Sequence, residues 1–178
     1  CWLEGDGAAG MDNYGGLVIR PAEFSDSTFL WRLAMLPDVR AMSTRSEVFS
    51  FAQHDQWFRG KLTDGLNRIW IMEVEGIPVG QVRYGRVSGE LGSRFRSAEV
   101  AISISPTERG RGYARELLLT TEPWARDWLY VSVLIALVLR QNYASRRLFR
   151  SAGYFYAGME TRMNKVHARY EKGEISVP

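Results

Sequence analysis

The chain of 178 residues has one cysteine, two histidines and no apolar run long enough to cross a bilayer. A single cysteine, Cys1, cannot form an internal disulfide, so the fold does not require an oxidising compartment. The longest apolar stretch, 128–139, is interrupted by Ser132 and is too short for a membrane-spanning helix. No basic segment followed by an apolar stretch, the pattern of a secretory signal, opens the chain. We therefore expect a cytoplasmic protein.

The sequence also lacks the patterns of metal and nucleic-acid sites. His54 and His167 lie far apart, with no acidic residues spaced between them as in a metal site, so we predict no bound metal. The net charge of +3 suits anionic ligands. Arginines are dense only at 109–115 and 146–150, and they form no continuous stripe. Nucleic acid and membrane are therefore not expected as partners.

The composition that remains is that of a globular domain, with 46% hydrophobic and 24% charged residues. No repeat or linker divides the chain, so we predict one domain over residues 11–165. Met11 is a plausible start, and residues 1–10 are then an extension or a remnant of the expression vector. Residues 166–178 are predicted to form a polar C-terminal tail.

Hydrophobic patterning predicts one α/β domain. The predicted strands are 17–19, 69–74, 77–84, 100–104, 130–139 and 154–159, and the predicted helices are 26–36, 51–62, 113–128 and 142–153. Glu75-Gly76 predicts a hairpin between the second and third strands, and 86–97 an exposed connection. A helix between the strands at 100–104 and 130–139 predicts a parallel crossover, so the sheet is mixed.

The segment 105–114, between a predicted strand and a predicted helix, is suited to an anion. Gly110 and Gly112 let backbone N–H groups turn toward a ligand, and the helix start adds partial positive charge. Arg109 and Arg111 add full charges, as a pyrophosphate requires. This segment fits neither of two known phosphate-binding motifs. A P-loop needs Lys-Ser/Thr after its last glycine, and a dinucleotide fingerprint needs a third glycine and a later acidic residue.

Two motifs in this order resemble the GNAT superfamily of acetyl-CoA-dependent N-acetyltransferases. The motif Arg/Gln-x-x-Gly-x-Gly/Ala is matched by Arg109, Gly112 and Ala114, and a later motif by Asn142, Ala144 and Phe149. The resemblance covers about 17–165. It implies an α/β GNAT fold, in which helices flank a mixed, mostly antiparallel sheet with one splayed parallel pair. It also implies acetyl-CoA as co-substrate and a small-molecule amine as acceptor.

The resemblance further implies which residues hold acetyl-CoA. Backbone amides of the loop would bind its pyrophosphate: Arg109, Gly110, Arg111, Gly112, Tyr113 and Ala114. The backbone of Ile102, Ser103 and Ile104 would pair with the pantetheine amides. Asn142 would contact the pantetheine arm, although a helix cap explains it equally well. Phe149 takes the position of a thiolate-protonating Tyr in many relatives, and Phe cannot donate, so no acid is assigned.

A general base is needed because the acceptor ammonium must lose a proton before it attacks. Alternation places Glu99, Ala101 and Ser103 on one face of their strand. A carboxylate and a hydroxyl on a central strand are unusual unless they face a groove. Glu99 is therefore the predicted base, with Ser103 positioning a water. An exposed strand-end Glu and a satisfied core Ser are the alternative.

The N-terminal half resembles the nucleotide-sugar N-acetyltransferases of the pseudaminic acid pathway, which act on a UDP-linked 4-amino-4,6-dideoxy sugar. The matching segments are 30–32, 38–40, position 43, 54–58, 78–83 and 98–104. Arg32, Arg40 and Arg83 could then contact a diphosphate, and Trp57 or Tyr84 could stack on a base or sugar. His54 could orient a substrate hydroxyl or be only a surface residue, and Trp57 equally suits the core.

Two other functions stay open at this point. A protein N-terminal acetyltransferase of the ribosomal-protein type shares the cofactor half, and the connection at 86–97 could shape its peptide groove. A GNAT-like protein that binds acyl-CoA without catalysis would explain Phe149. A homodimer is compatible with either enzyme.

Overall fold

Seven strands with alternating apolar positions form a single mixed sheet in the computed structural model, which describes residues 16–45, 47–87 and 96–173. The strands are β1 (Leu17–Pro21), β2 (Asn67–Val74), β3 (Ile77–Arg86), β4 (Ser97–Ile104), β5 (Val133–Leu139), β6 (Phe155–Arg162) and β7 (Lys165–Gly173). The helices are α1 (Ser27–Met35), α2 (Pro37–Ala41), α3 (Phe51–Thr63), α4 (Tyr113–Leu129) and α5 (Tyr143–Ser151). The expected extension at 1–10 and most of the expected connection at 86–97 lie outside the described residues.

The strand order is β1-β2-β3-β4-β5-β7-β6, and only β4 and β5 run parallel. Helix α4 connects these two strands, which confirms the predicted crossover and the mixed sheet. Glu75 and Gly76, with φ of 51° and 76°, form the two-residue turn of the predicted hairpin.

Two predictions about the helices can be compared with the structure directly. The predicted capping box of α3 is present, since the Gln53 N–H donates to Ser50 Oγ at 3.2 Å and the Ser50 N–H to Gln53 Oε1 at 2.8 Å. The helix predicted at 26–36 is present as α1, which ends just before Pro37 as expected. A short second helix that was not predicted follows, and Pro37 starts α2 at its first position, where a missing N–H costs nothing.

Strand β7 contradicts the polar tail predicted for 166–178. It lies inside the sheet, between β5 and β6, and pairs with both. Ala168 and Tyr170, 2% and 0% exposed, are buried on one face, while Arg169 and Glu171 alternate with them on the opposite face, where His167 is also buried. Those charges bind other charges across that face, so a polar composition here marks a paired strand. Residues 174–178 lie outside the described residues.

Helices cover both faces of the sheet. Helices α4 and α5 pack on the main core, which includes Tyr84, Leu117, Leu118 and Phe149. Helices α1 and α3 close a smaller cluster on the other face, formed by Leu30, Phe58, Ile69 and Ile71. No helix among the described residues is long and apolar enough to cross a membrane.

Candidate active site

The parallel strands β4 and β5 separate after a short paired stretch. Residues 97–99 pair with 133–135, and no pairing follows toward Ile104 and Leu139. The two strands therefore open a V-shaped cleft, whose apex lies at Glu99.

Register decides which backbone groups face this cleft. The Ser105 N–H donates to Val79 O at 2.8 Å, and the Val87 N–H to Ser97 O at 2.9 Å, so the odd positions of β4 point their amides to β3. Because a strand alternates, the N–H and C=O groups of Ile102 and Ile104 point to the open side. This edge presents the pattern to which an extended, amide-bearing chain adds as a strand.

The glycine loop after β4 places its amides in open space. Gly110 and Gly112 have φ of 80° and 86°, which glycine adopts without strain, and no atom lies within 4 Å of where a Cβ would stand on either. In the described chain no oxygen accepts from the N–H groups of residues 110–114; the first to bond, Arg115 and Glu116, donate to Gly112 O. Five consecutive free amides at the start of α4 form an anion site that fits a pyrophosphate.

The two loop arginines bind protein groups. Arg109 Nε donates to Ile104 O at 3.1 Å, and its Nη1 pairs with Asp38 of α2. Hydrogen bonding from Arg109 holds the pKa of Asp38 below its usual value. Arg111 pairs with Glu108 at 3.3 Å. The backbone amides therefore face the open loop, and Arg109 joins the loop to α2.

Asn142 and Phe149 stand at the two ends of α5. Asn142 caps the helix, because its side chain accepts from the Ser145 N–H at 3.1 Å. Phe149 is 3% exposed and packs edge-to-face on Tyr154, with ring centroids 5.0 Å apart. The cap that the sequence allowed for Asn142 is thus observed, and Phe149 belongs to the core.

Glu99 and Ser103 lie on the sheet face opposite α4. Glu99 accepts a hydrogen bond from Arg162 of β6, which sequence reasoning missed. Ser103 stands opposite Gln81 of β3. The carboxylate is 32% exposed, so water and a substrate can reach it.

Arg83 and Trp57 approach Glu99 from the β3 side. The Arg83 guanidinium lies 5.1 Å from the centroid of the Trp57 ring, which is 41% exposed. Burial lowers the pKa of Arg83, and the charge of Glu99 acts in the opposite direction. Within the described residues no carboxylate forms an ion pair with Arg83.

The other predicted acceptor residues lie elsewhere. Tyr84 is completely buried on the α4 face, where its hydroxyl lies 3.0 Å from Thr121 Oγ1, so it cannot stack on a substrate as expected. It neighbours Arg83 in sequence, and strand alternation sends the two side chains to opposite faces. Arg32 is exposed on α1. Arg40 supports the loop after α2, donating to Glu47 O at 3.0 Å.

His54 is 5% exposed and lies between the rings of Phe49 and Phe58, each centroid 5.9 Å away. It is neither a surface residue nor open to a substrate hydroxyl. The described residues contain no group of three His, Cys, Asp or Glu side chains placed to hold a metal ion.

A splayed parallel pair beside a loop of free amides defines the class of an acyl-CoA-binding transferase. The model of the acetyltransferase (GNAT) domain family matches residues 16–154. The chain belongs to the GNAT acetyltransferase family, and it is an acetyl-CoA-dependent N-acetyltransferase.

Solved structures share this fold. The ribosomal-protein-alanine N-acetyltransferase of Brucella melitensis is 26% identical, with a TM-score of 0.74 over 88% of this chain and 99% of its own. The spermidine N-acetyltransferase of Vibrio cholerae with CoA and spermine is 21% identical, with a TM-score of 0.76 over 90% and 97%.

A putative acetyltransferase of Salmonella typhimurium, solved with its cofactor acetyl-CoA, is 20% identical, with a TM-score of 0.75 over 91% and 97%. No curated protein matches the chain significantly. These comparisons confirm the family and give no support to the nucleotide-sugar branch.

Proposed function

We propose that the chain acetylates the primary amine of a small acceptor that carries an anionic group, with a nucleotide-linked 4-amino-4,6-dideoxy sugar as the favoured acceptor. The observation that carries this proposal is the placement of Arg83 beside Trp57, on the face that holds Glu99. A guanidinium without an ion-pair partner in the described residues suits a phosphate, and an exposed indole suits a base or sugar ring.

The cofactor half follows from the free backbone groups. The amides of 110–114 hold the pyrophosphate, and the edge of β4 at Ile102 and Ile104 pairs with the pantetheine arm. Arg109 already engages the Ile104 carbonyl, so the Ile102 groups and the Ile104 N–H are the ones open to this pairing. When bound, acetyl-CoA supplies an acetyl thioester as the electrophile.

Glu99 acts as the general base at the apex of the cleft. Its carboxylate removes a proton from the acceptor ammonium, through a water that Ser103 orients. The free amine then forms the C–N bond as the C–S bond breaks. The proton that the nitrogen loses in this step passes through water to the leaving thiolate, because Phe149 has no proton to give. Positioning of the two reactants supplies much of the rate.

The charges on this face also bear on other acceptors. Glu99 and Glu160 are each bound by an arginine, so a polyamine would meet cations where it needs free carboxylates. A protein N-terminus is the second candidate, favoured by the similarity to a ribosomal-protein-alanine N-acetyltransferase. The cytoplasmic location and the homodimer stay predictions.

Thiol release from acetyl-CoA tests the proposal, with UDP-linked 4-amino sugars measured beside peptides that have free N-termini. We expect release with the amino sugars. Release with peptides alone would transfer the assignment to the second candidate. Acetyl-CoA binding without release would favour a protein that binds acyl-CoA without catalysis.

Glu99→Gln tests the base in the same assay. We expect turnover to fall about 100-fold, within the usual contribution of a general base, with unchanged acetyl-CoA affinity. Glu73→Gln is the matched control, because Glu73 is also a strand glutamate paired with an arginine, Arg20, at 2.6 Å. Wild-type turnover in Glu99→Gln would exclude Glu99 as the base.

A further inference from the structure

Arg162 joins two carboxylates at the end of the β6–β7 hairpin. Its Nη1 donates to Glu99 Oε2, and its Nη2 donates to Glu160 Oε1 at 2.9 Å. Glu99 and Arg162 are 63 positions apart, so only the folded sheet brings them together. Within the described residues, Arg162 is the hydrogen-bond donor to the Glu99 carboxylate, and Glu99 Oε1 accepts from no group.

Further ion pairs hold Arg162 in place. Arg169 Nη1 donates to Glu160 Oε2 at 2.8 Å, and Arg169 Nε donates to Glu171 Oε1 at 2.6 Å. The five side chains alternate in sign across β4, β6 and β7. Burial acts to raise the pKa of Glu160, but hydrogen bonds from Arg169 and Arg162 outweigh it and lower that pKa. Glu160 is therefore a firm anchor for Arg162.

The hairpin that carries Arg162 is itself tied to the loop after α2. Lys165 Nζ donates to Ser43 O at 3.0 Å, and the hydroxyl of Thr44 lies 3.1 Å from His167 Nε2. His167 is completely buried. The start of β7 is thus fixed from outside the sheet, which limits how far Arg162 can move.

We infer that Arg162 is a positioning residue, which fixes one oxygen of the Glu99 carboxylate and leaves the other free for the water between it and the acceptor amine. This inference rests on the proposed role of Glu99 as the base. An isolated surface ion pair contributes little to stability. Its value here is geometric, because a base displaced by about 1 Å loses up to about 100-fold in rate.

Arg162→Gln removes the charge and leaves a shorter polar side chain. We expect kcat to fall about tenfold, with the KM for acetyl-CoA unchanged, since the cofactor cleft is intact. Arg162→Lys keeps one cation and should recover part of kcat. Arg59→Gln is the control, because Arg59 pairs with Asp55 on the outer surface of α3, away from the cleft.

A double-mutant cycle separates positioning from a structural role. Turnover is measured with the UDP-linked 4-amino sugar, or with the peptide if that is the active acceptor. If Arg162 acts through Glu99, then Glu99→Gln/Arg162→Gln is no slower than Glu99→Gln alone. The inference is overturned if the losses of kcat in the two single variants multiply in the double variant. It is also overturned if Arg162→Gln keeps wild-type kcat while Glu99→Gln is slow. Either outcome leaves the proposed function intact. Wild-type kcat in Glu99→Gln excludes Glu99 as the base and with it the inference.

Thermal unfolding of the same variants tests the pair without any acceptor. Each single variant should lower Tm by about 1–3 °C, and the double variant no further than the larger single shift. Additive shifts would show that the two side chains do not interact in solution, and this would overturn the inference even if neither acceptor is turned over.

Discussion

Arg109 of the glycine loop and Asp38 of α2 form an ion pair across 71 positions of sequence. The same guanidinium donates to Ile104 O at 3.1 Å, so one side chain joins the loop, the end of β4 and α2. Asp38 therefore holds the guanidinium that anchors the loop of the proposed pyrophosphate site.

Asp38→Asn removes the charge that holds Arg109. We expect the Kd for CoA to rise about two- to threefold, the range that corresponds to an exposed ion pair, because the loop loses its tie to α2. Isothermal titration of CoA measures it. Asp55→Asn, which breaks another exposed pair, on α3, serves as the control. Unchanged affinity in Asp38→Asn would show that the ion pair does not support the cofactor loop.

Gly112→Ala places a methyl group where the pyrophosphate is proposed to lie. We expect CoA binding to weaken at least tenfold, and the left-handed backbone to cost about 1–2 kcal/mol of unfolding free energy. Gly76→Ala is matched to it, since Gly76 has φ of 76° and open space around a Cβ, but lies in the distant hairpin turn. Gly76→Ala should show the same loss of stability with unchanged CoA affinity. If Gly112→Ala binds CoA as tightly as Gly76→Ala does, the glycine loop is not part of the cofactor site.

Tyr84→Phe tests the burial of Tyr84, which the sequence allows as a residue of the acceptor site. Its hydroxyl bonds with Thr121 in the core, and burial raises the pKa of Tyr84. Removing the hydroxyl should lower the unfolding free energy by about 1 kcal/mol and leave the acceptor KM unchanged. Urea unfolding and steady-state kinetics measure the two effects. A raised acceptor KM at unchanged stability would return Tyr84 to the acceptor site.

His54 predicts a pH dependence of stability. Burial lowers its pKa in the folded chain, so the unfolded chain binds more protons as pH falls below the ordinary value of about 6.5. The unfolding free energy therefore rises with pH in this window, and the contribution of neutral His54 is lost as pH falls through the folded pKa. His54→Phe should show a shallower slope of urea-unfolding free energy between pH 5 and 7. His167 is present in both proteins and cancels in the comparison.

The sequence alone predicts the structural features that are determined by a few neighbouring residues. The Glu75-Gly76 turn, the Ser50 cap and the glycine loop each lie within a few residues, and local chemistry determines them. The crossover between β4 and β5 followed from the order of elements and the handedness of connections. The family resemblance rested on motifs of the same local kind.

The features that the sequence does not predict depend on pairing between residues far apart in the chain. The sequence indicates a tail at 166–178 because the charges of β7 appear solvated, whereas Arg169, besides its pair with Glu171, binds Glu160 of the neighbouring strand β6. No local sequence motif marks Arg162 as a residue of the site. Its alternation with Glu160 on β6, continued by Arg169 and Glu171 on β7, is the pattern that could have indicated a charged strand face.

The place of β7 in the sheet also determines when the fold can be completed during synthesis. Until residue 173 has left the ribosome, β5 offers an almost wholly apolar edge, Val-Leu-Ile-Ala-Leu-Val-Leu, and β6 has no neighbour to join. Assembly of the sheet therefore ends when β7 inserts between β5 and β6, a late and non-local event of the kind that slows folding. A nascent chain stalled before that point exposes an apolar strand edge, the kind of surface most prone to aggregation.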